Sequence, residues 1–177
     1  SYRELSKVLD FDKTITPLTY INSAADLKAF CGEHGGIVCT STNAPKMLEW
    51  SFAQREKVLF FPDQNLGRWS GHKMGFPLEQ MPVWDPDQPM GGLTDEQIKN
   101  AKILLWKGHC AVHQMFRPQH ILKFRNEHPK GKVISHPECM FEVCQLSDYV
   151  GSTETIARIV AESVPSTHWL VGTELNM

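Results

Sequence analysis

The sequence predicts an α/β fold of small parallel sheets. Three observations predict it. First, one pattern recurs along the chain: a short apolar run, a few small polar residues, then a helical stretch. Second, the apolar runs are about four residues long and rich in Val and Ile, as suits strands buried on both faces. Third, the polar residues that follow them are good helix starters. Strand alternating with helix builds parallel sheets from βαβ units.

The units come in order. TYINSAADLKAF (19–30) offers Asn22 or Ser23 as a helix N-cap, IVCTSTNAPKMLEW (37–50) offers Asn43, and VLFFPDQNLGRWSGHKMG (58–75) offers Asp63. VISHPECMFEVCQL (133–146) follows, then YVGSTETIARIV (149–160) with Ser152 and Thr153, and HWLVGTE (168–174) begins the pattern once more. Residues 76–97 break the rhythm with four prolines and the Gly91-Gly92 pair. They predict a strand or turn, an excursion, and a helix opened by Thr94 with Asp95 and Glu96 in its first turn. A lobe boundary is expected shortly afterwards, within 102–112. That divides the chain into a lobe over 1–105, with three or four strands and a lead-in helix over 1–17, and a lobe over 106–177 with at least three strands.

Composition narrows the function. The 18 basic residues are outnumbered by 20 acidic ones, so no basic excess points to nucleic acid or an anionic membrane. No apolar run nears the roughly 20 residues that span a bilayer. A cytoplasmic location is expected, and the ends, at Ser1 and in a strand-end loop just opening, suggest a piece of a longer protein. The five cysteines are odd in number and contain no CxxC pair, so free thiols are the expectation.

In open parallel sheets, ligands bind beyond the carboxyl ends of the strands, where helix N-termini favour phosphate and carboxylate. Each polar loop above sits at such a place. WKGHCAVHQMF (106–116) is the densest in chemistry: Gly108 permits a tight turn, and His109, Cys110 and His113 follow within a few residues. Cysteine and histidine are common metal ligands, but the paired spacings of a closed zinc site are missing. A single cysteine per segment suits a site assembled from distant parts of the chain, as iron–sulfur clusters can be. His136 and Glu138 in VISHPEC (133–139) could do acid/base work, or could cap backbone groups and start the next helix.

Taken together and in this order, TYINSAADLKAF, VCTSTNA, FFPDQNLGR, WKGHCAVHQMF, VISHPEC, YVGSTE and VGTE resemble the quinolinate synthase (NadA) family of NAD biosynthesis. The resemblance covers residues 18–174. It implies three-layer αβα lobes in a pseudo-threefold, three-lobed architecture, of which this chain would form the second and third lobes. It further implies a [4Fe–4S] cluster held by three cysteines, its open iron a Lewis acid. The implied reaction condenses iminoaspartate with dihydroxyacetone phosphate to quinolinate.

By the same resemblance, Cys110 is a cluster ligand, and the other two ligand cysteines belong to segments outside this sequence. Tyr20, Asn22, Ser41 and His113 are substrate contacts, Tyr20 also a catalytic group. His136 and Glu138 bind substrate and transfer protons, and Ser152 and Thr153 form a phosphate or carboxylate site. Cys39 and Cys139 are not ligands, and Cys31 and Cys144 are buried thiols. Direct hand-over of iminoaspartate from aspartate oxidase or aspartate dehydrogenase is a further implication. The competing expectation is a cluster-free phosphate-binding α/β module or an inactive fragment.

Overall fold

The apolar runs form strands, and the strands assemble into two separate parallel sheets. The computed structural model describes residues 2–174; Ser1 and residues 175–177, the outer limits of the two expected lobes, lie outside the described residues. The chain divides into two units at the Gly108–His109 bond.

The first unit runs α1 (Tyr2–Leu5), α2 (Phe11–Thr14), β1 (Ile15–Tyr20), α3 (Ala25–Glu33), β2 (Ile37–Cys39), α4 (Ala44–Gln54), β3 (Lys57–Phe61) and α5 (Gln64–Lys73). It continues with β4 (Val83–Trp84), α6 (Asp95–Asn100) and β5 (Ile103–Trp106). Its strands lie in the order β2-β1-β3-β5-β4, all parallel. Because side chains alternate along a strand, Val58 and Phe60 enter one core while Leu59 and Phe61 enter the other. The first core is closed by Ala44 and Leu48 of α4 and Leu66 of α5. The second is closed by Leu5, Phe11, Cys31 and Ile98, from α1, α2, α3 and α6. The unit is therefore a three-layer αβα sandwich, with both faces of the sheet covered.

Three expectations change here. The lead-in is two one-turn helices, and β1 starts at Ile15. β1 contains Pro17, which pairs with Leu59 of β3, while pairing with β2 begins only at Leu18. The N–H that Pro17 lacks is thus not needed on the β2 side. Second, α3 begins after Ala24, without a side-chain cap. The Ser23 hydroxyl accepts from Thr19 Oγ1 at 3.0 Å, and Asn22 Nδ2 donates to the Tyr20 hydroxyl at 3.4 Å. Third, the sheet has five strands. β5 escapes the repeating pattern because a loop, rather than a helix, follows it.

Asp63 caps α5 as expected, accepting from the N–H groups of Asn65 and Leu66. Thr94 opens α6 with a full capping box against Gln97. The excursion contributes the edge strand β4, which pairs with β5 through Trp84 and Trp106.

The second unit contains α7 (Pro118–Glu127), β6 (Lys132–Ser135), α8 (Phe141–Leu146), β7 (Tyr149–Val150), α9 (Thr153–Ala161) and β8 (Trp169–Gly172). Its parallel sheet has the order β7-β6-β8, with Ser135 opposite both Val150 and Gly172. Among the described residues, no helix is long and apolar enough to cross a membrane.

Candidate metal centre

The segment leading to Cys110 is tightly placed where it leaves β5. Gly108 lies so close to the chain after β3 that a Cβ there would sit 2.2 Å from the Pro62 carbonyl oxygen, and its own carbonyl accepts from Gln64 N–H at 2.9 Å. Only glycine fits such an approach. In the second unit the chain then turns, Gln114 N–H donating to the Cys110 carbonyl at 3.1 Å, into a short 3₁₀ turn at His113–Met115. Cys110 is half-buried, whereas Cys31, Cys39, Cys139 and Cys144 are buried.

The end of β6 delivers the partners. His136 follows β6 directly, held by its N–H to the Gly172 carbonyl at 2.9 Å. The short turn continues with Glu138, whose N–H donates to His136 Nδ1 at 3.3 Å. That bond leaves the imidazole proton on Nε2. Glu138 lies ahead of α8 rather than in its first turn, so helix capping does not account for it. The rings of His113 and His136 stack, 4.6 Å apart between centroids. Glu138 Oε2 lies 3.4 Å from His136 Nδ1 and 3.9 Å from His113 Nδ1. Ligand atoms of Cys110, His113 and Glu138 all lie within 4.8 Å of one another, and together they could hold a metal ion.

Burial sets the charge states. It lowers the pKa of His113, against a smaller upward pull from Glu174. It takes His136 from 6.5 down to about 3, helped by its neighbour His113. His136 is thus neutral around neutral pH, and its approach to Glu138 is not an ion pair. Burial also pushes the Cys139 thiol far up. A buried protonated thiol is a poor ligand, and Cys139 Sγ instead donates to the Gly172 carbonyl at 3.3 Å.

The remaining expected residues sit at carboxyl ends of strands in their own units. Tyr20 ends β1 and is joined to Asn22. Ser41 lies in the loop after β2, which is held by a reciprocal pair: Asn43 Oδ1 accepts from Thr40 N–H at 2.7 Å, and Thr40 Oγ1 from Asn43 N–H at 3.3 Å. The Ser152 hydroxyl oxygen caps α9 by accepting from the Thr155 N–H, while Thr153 is that helix's first residue. Sequence reasoning missed Glu174. It belongs to the last strand-end loop, and its Oε1 lies 4.0 Å from Cys110 Sγ. Its position after the apolar run HWLVG was the available signal.

Fold and site define a class: a parallel α/β protein whose strand-end loops gather a sulfur, imidazole and carboxylate group able to bind metal. The sequence profile of the quinolinate synthetase A protein family matches residues 2–177, and the chain belongs to that family. Among its relatives, the quinolinate synthase of Rhodopirellula baltica is 53% identical over the whole chain, which spans 45% of that protein. That of Acidobacterium capsulatum is 51% identical over 92% of the chain and 44% of its own length. That of Herpetosiphon aurantiacus is 48% identical over 98% of the chain and 47% of its own length. The chain thus spans less than half the length of these curated relatives.

Proposed function

We propose that this chain supplies part of the active site of a quinolinate synthase, acting in the cytoplasm in NAD biosynthesis. The reaction condenses iminoaspartate with dihydroxyacetone phosphate to quinolinate, with loss of phosphate and water. The observation that carries this reading is the convergence of Cys110, His113 and Glu138 in a chain of this family.

The donor set fits one corner of a [4Fe–4S] cluster. Cys110 is the one cysteine that is not buried, and it lies on a loop. Cys110 would hold one iron, and the full-length protein would supply the other cysteines. When bound, the cluster supplies a Lewis acid at its open iron.

The chain's own residues do the rest. The Glu138 carboxylate, in contact with His136, is the proton acceptor. His136 offers its Nε2 proton as a hydrogen-bond donor, because its Nδ1 is occupied by the Glu138 N–H. His113 walls the site beside it. The linked Tyr20 phenol and Asn22 amide hold the intermediate, with Tyr20 placed to exchange a proton. Ser41 binds substrate oxygens. Ser152 and Thr153, at the start of α9, bind phosphate or carboxylate. Aspartate oxidase or aspartate dehydrogenase supplies iminoaspartate by direct hand-over.

The test is anaerobic reconstitution of the full-length protein, followed by visible absorption and assay of quinolinate. Cys110→Ala is expected to lose cluster and product together. Wild-type cluster content in that variant would overturn the ligand assignment.

A further inference from the structure

We propose that Cys110, His113 and Glu138 also form a mononuclear site for one divalent ion of the zinc or ferrous class when no cluster is bound. The inference shares Cys110 with the function proposed above, but all three donors lie within the second unit.

His113 carries the argument furthest. It is 2% exposed, and neither ring nitrogen has a hydrogen-bond partner among the described residues. Buried polar atoms are normally satisfied, and one that is not calls for an explanation. Its Nδ1 lies 3.9 Å from Glu138 Oε2, beside the sulfur of Cys110. An ion bound between them would take up the orphaned nitrogen.

The donor types select the ion. One thiolate, one imidazole and one carboxylate suit borderline transition ions; magnesium and calcium prefer oxygen alone. Three protein ligands with a fourth position open is the arrangement of catalytic zinc sites. With bonds of about 2.0–2.3 Å, a tetrahedral site has edges of roughly 3.3–3.8 Å. The donor atoms, now within 4.8 Å of one another, therefore close by roughly one ångström. Cys110, half-buried in a loop, can move that far. Cys144 does not compete, since its Sγ already donates to the His136 carbonyl at 3.6 Å. His136 acts from behind the site, its ring accepting from the Glu138 N–H and so orienting that residue. On binding, the Cys110 proton passes to solvent. Thiolate and carboxylate then balance the two charges of the ion. Ion and cluster would compete for one sulfur.

The experiment uses the 177-residue chain, stripped with chelator under reducing, anaerobic conditions and titrated with cobalt(II). One equivalent is expected to bind, with a sulfur-to-cobalt charge-transfer band and tetrahedral d–d bands, and one equivalent of zinc should displace it. Cys110→Ser should abolish the charge-transfer band, while Cys139→Ser should leave it unchanged. His113→Asn and Glu138→Gln should each weaken binding by about tenfold or more, at least the loss seen when an outer-shell group is removed. Near-UV circular dichroism checks that each variant is folded. Because His113 is buried, Cys110→Ser on its loop is the deciding variant. Absence of stoichiometric binding, or a charge-transfer band that survives in Cys110→Ser, overturns the proposal. The cluster is measured separately in the full-length protein, so either reading can fail without the other.

Discussion

The imidazoles of His113 and His136 lie face to face, their planes 18° apart. They come from different places, one from the turn after Cys110 and the other from the end of β6. Both are buried, and Glu138 Oε2 lies 3.9 Å from Nδ1 of His113 and 3.4 Å from Nδ1 of His136. Two stacked imidazoles in a desolvated site oppose each other's protonation. The Glu138 carboxylate beside them is the group to which the proposed function gives the proton-accepting role.

Removing that pair should separate chemistry from assembly. In the full-length enzyme, His136→Ala and Glu138→Ala should retain cluster absorption but lose turnover by about 10²–10⁴-fold, the usual range for a general acid or base. Steady-state quinolinate formation checks this. Unchanged turnover would return both residues to a structural role.

Gly108 should tolerate no side chain. Gly108→Ala places a methyl against the Pro62 carbonyl, 2.2 Å away before any shift. The chain must move, at an expected cost of about 1–3 kcal/mol, as for other overpacked sites. Urea unfolding of variant and wild type measures it, and an unchanged midpoint would show that the approach is loose.

Lys57 should matter more than its charge suggests. The residue is 2% exposed, and its ammonium donates to the carbonyls of Lys99 at 2.5 Å and Ala101 at 2.9 Å, closing the end of α6. Lys57→Met keeps much of the volume and strips both acceptors of their donor. The expected loss is about 1–3 kcal/mol, the cost of stranding buried polar groups, again read from the urea midpoint.

Thiol chemistry should single out Cys110. Burial raises Cys31 and Cys39 from 9.0 to about 12, so both stay protonated and shielded. Brief native alkylation at pH 8 should label Cys110 alone, with the others labelled only after unfolding; mass spectrometry of peptides reads the pattern. The linkage has a definite sign. A folded pKa above the unfolded one means the stabilisation is complete below about pH 9 and is lost as the pH rises towards 12. Cys31→Ala should flatten that alkaline loss. An equal loss with and without the thiol would contradict the assignment.

Much of this was legible along the chain. Short apolar runs announced β2, β3 and β6, and the turn residues Asp63 and Thr94 announced the starts of α5 and α6. These signals act over three or four residues, through side-chain periodicity and local hydrogen bonds, so they survive without knowledge of the fold. Where local signals competed, they misled. Asn22 and Ser23 have the chemistry of N-caps, yet both face back to Tyr20 and Thr19, and α3 starts without them. β5 carried no helix behind it and so fell outside the repeating pattern.

The sequence by itself determined the class of fold and the strand-end loops, and it singled out Cys110 among the cysteines. Only the tertiary structure decided that β5 lies between β3 and β4, that Cys110 stands apart from four buried thiols, and that His113 is buried without a hydrogen-bond partner among the described residues. The reason is physical. Strand order, burial and the meeting of His113 with His136 and Glu138 depend on packing between segments far apart in the chain, and no local pattern records which segments will meet.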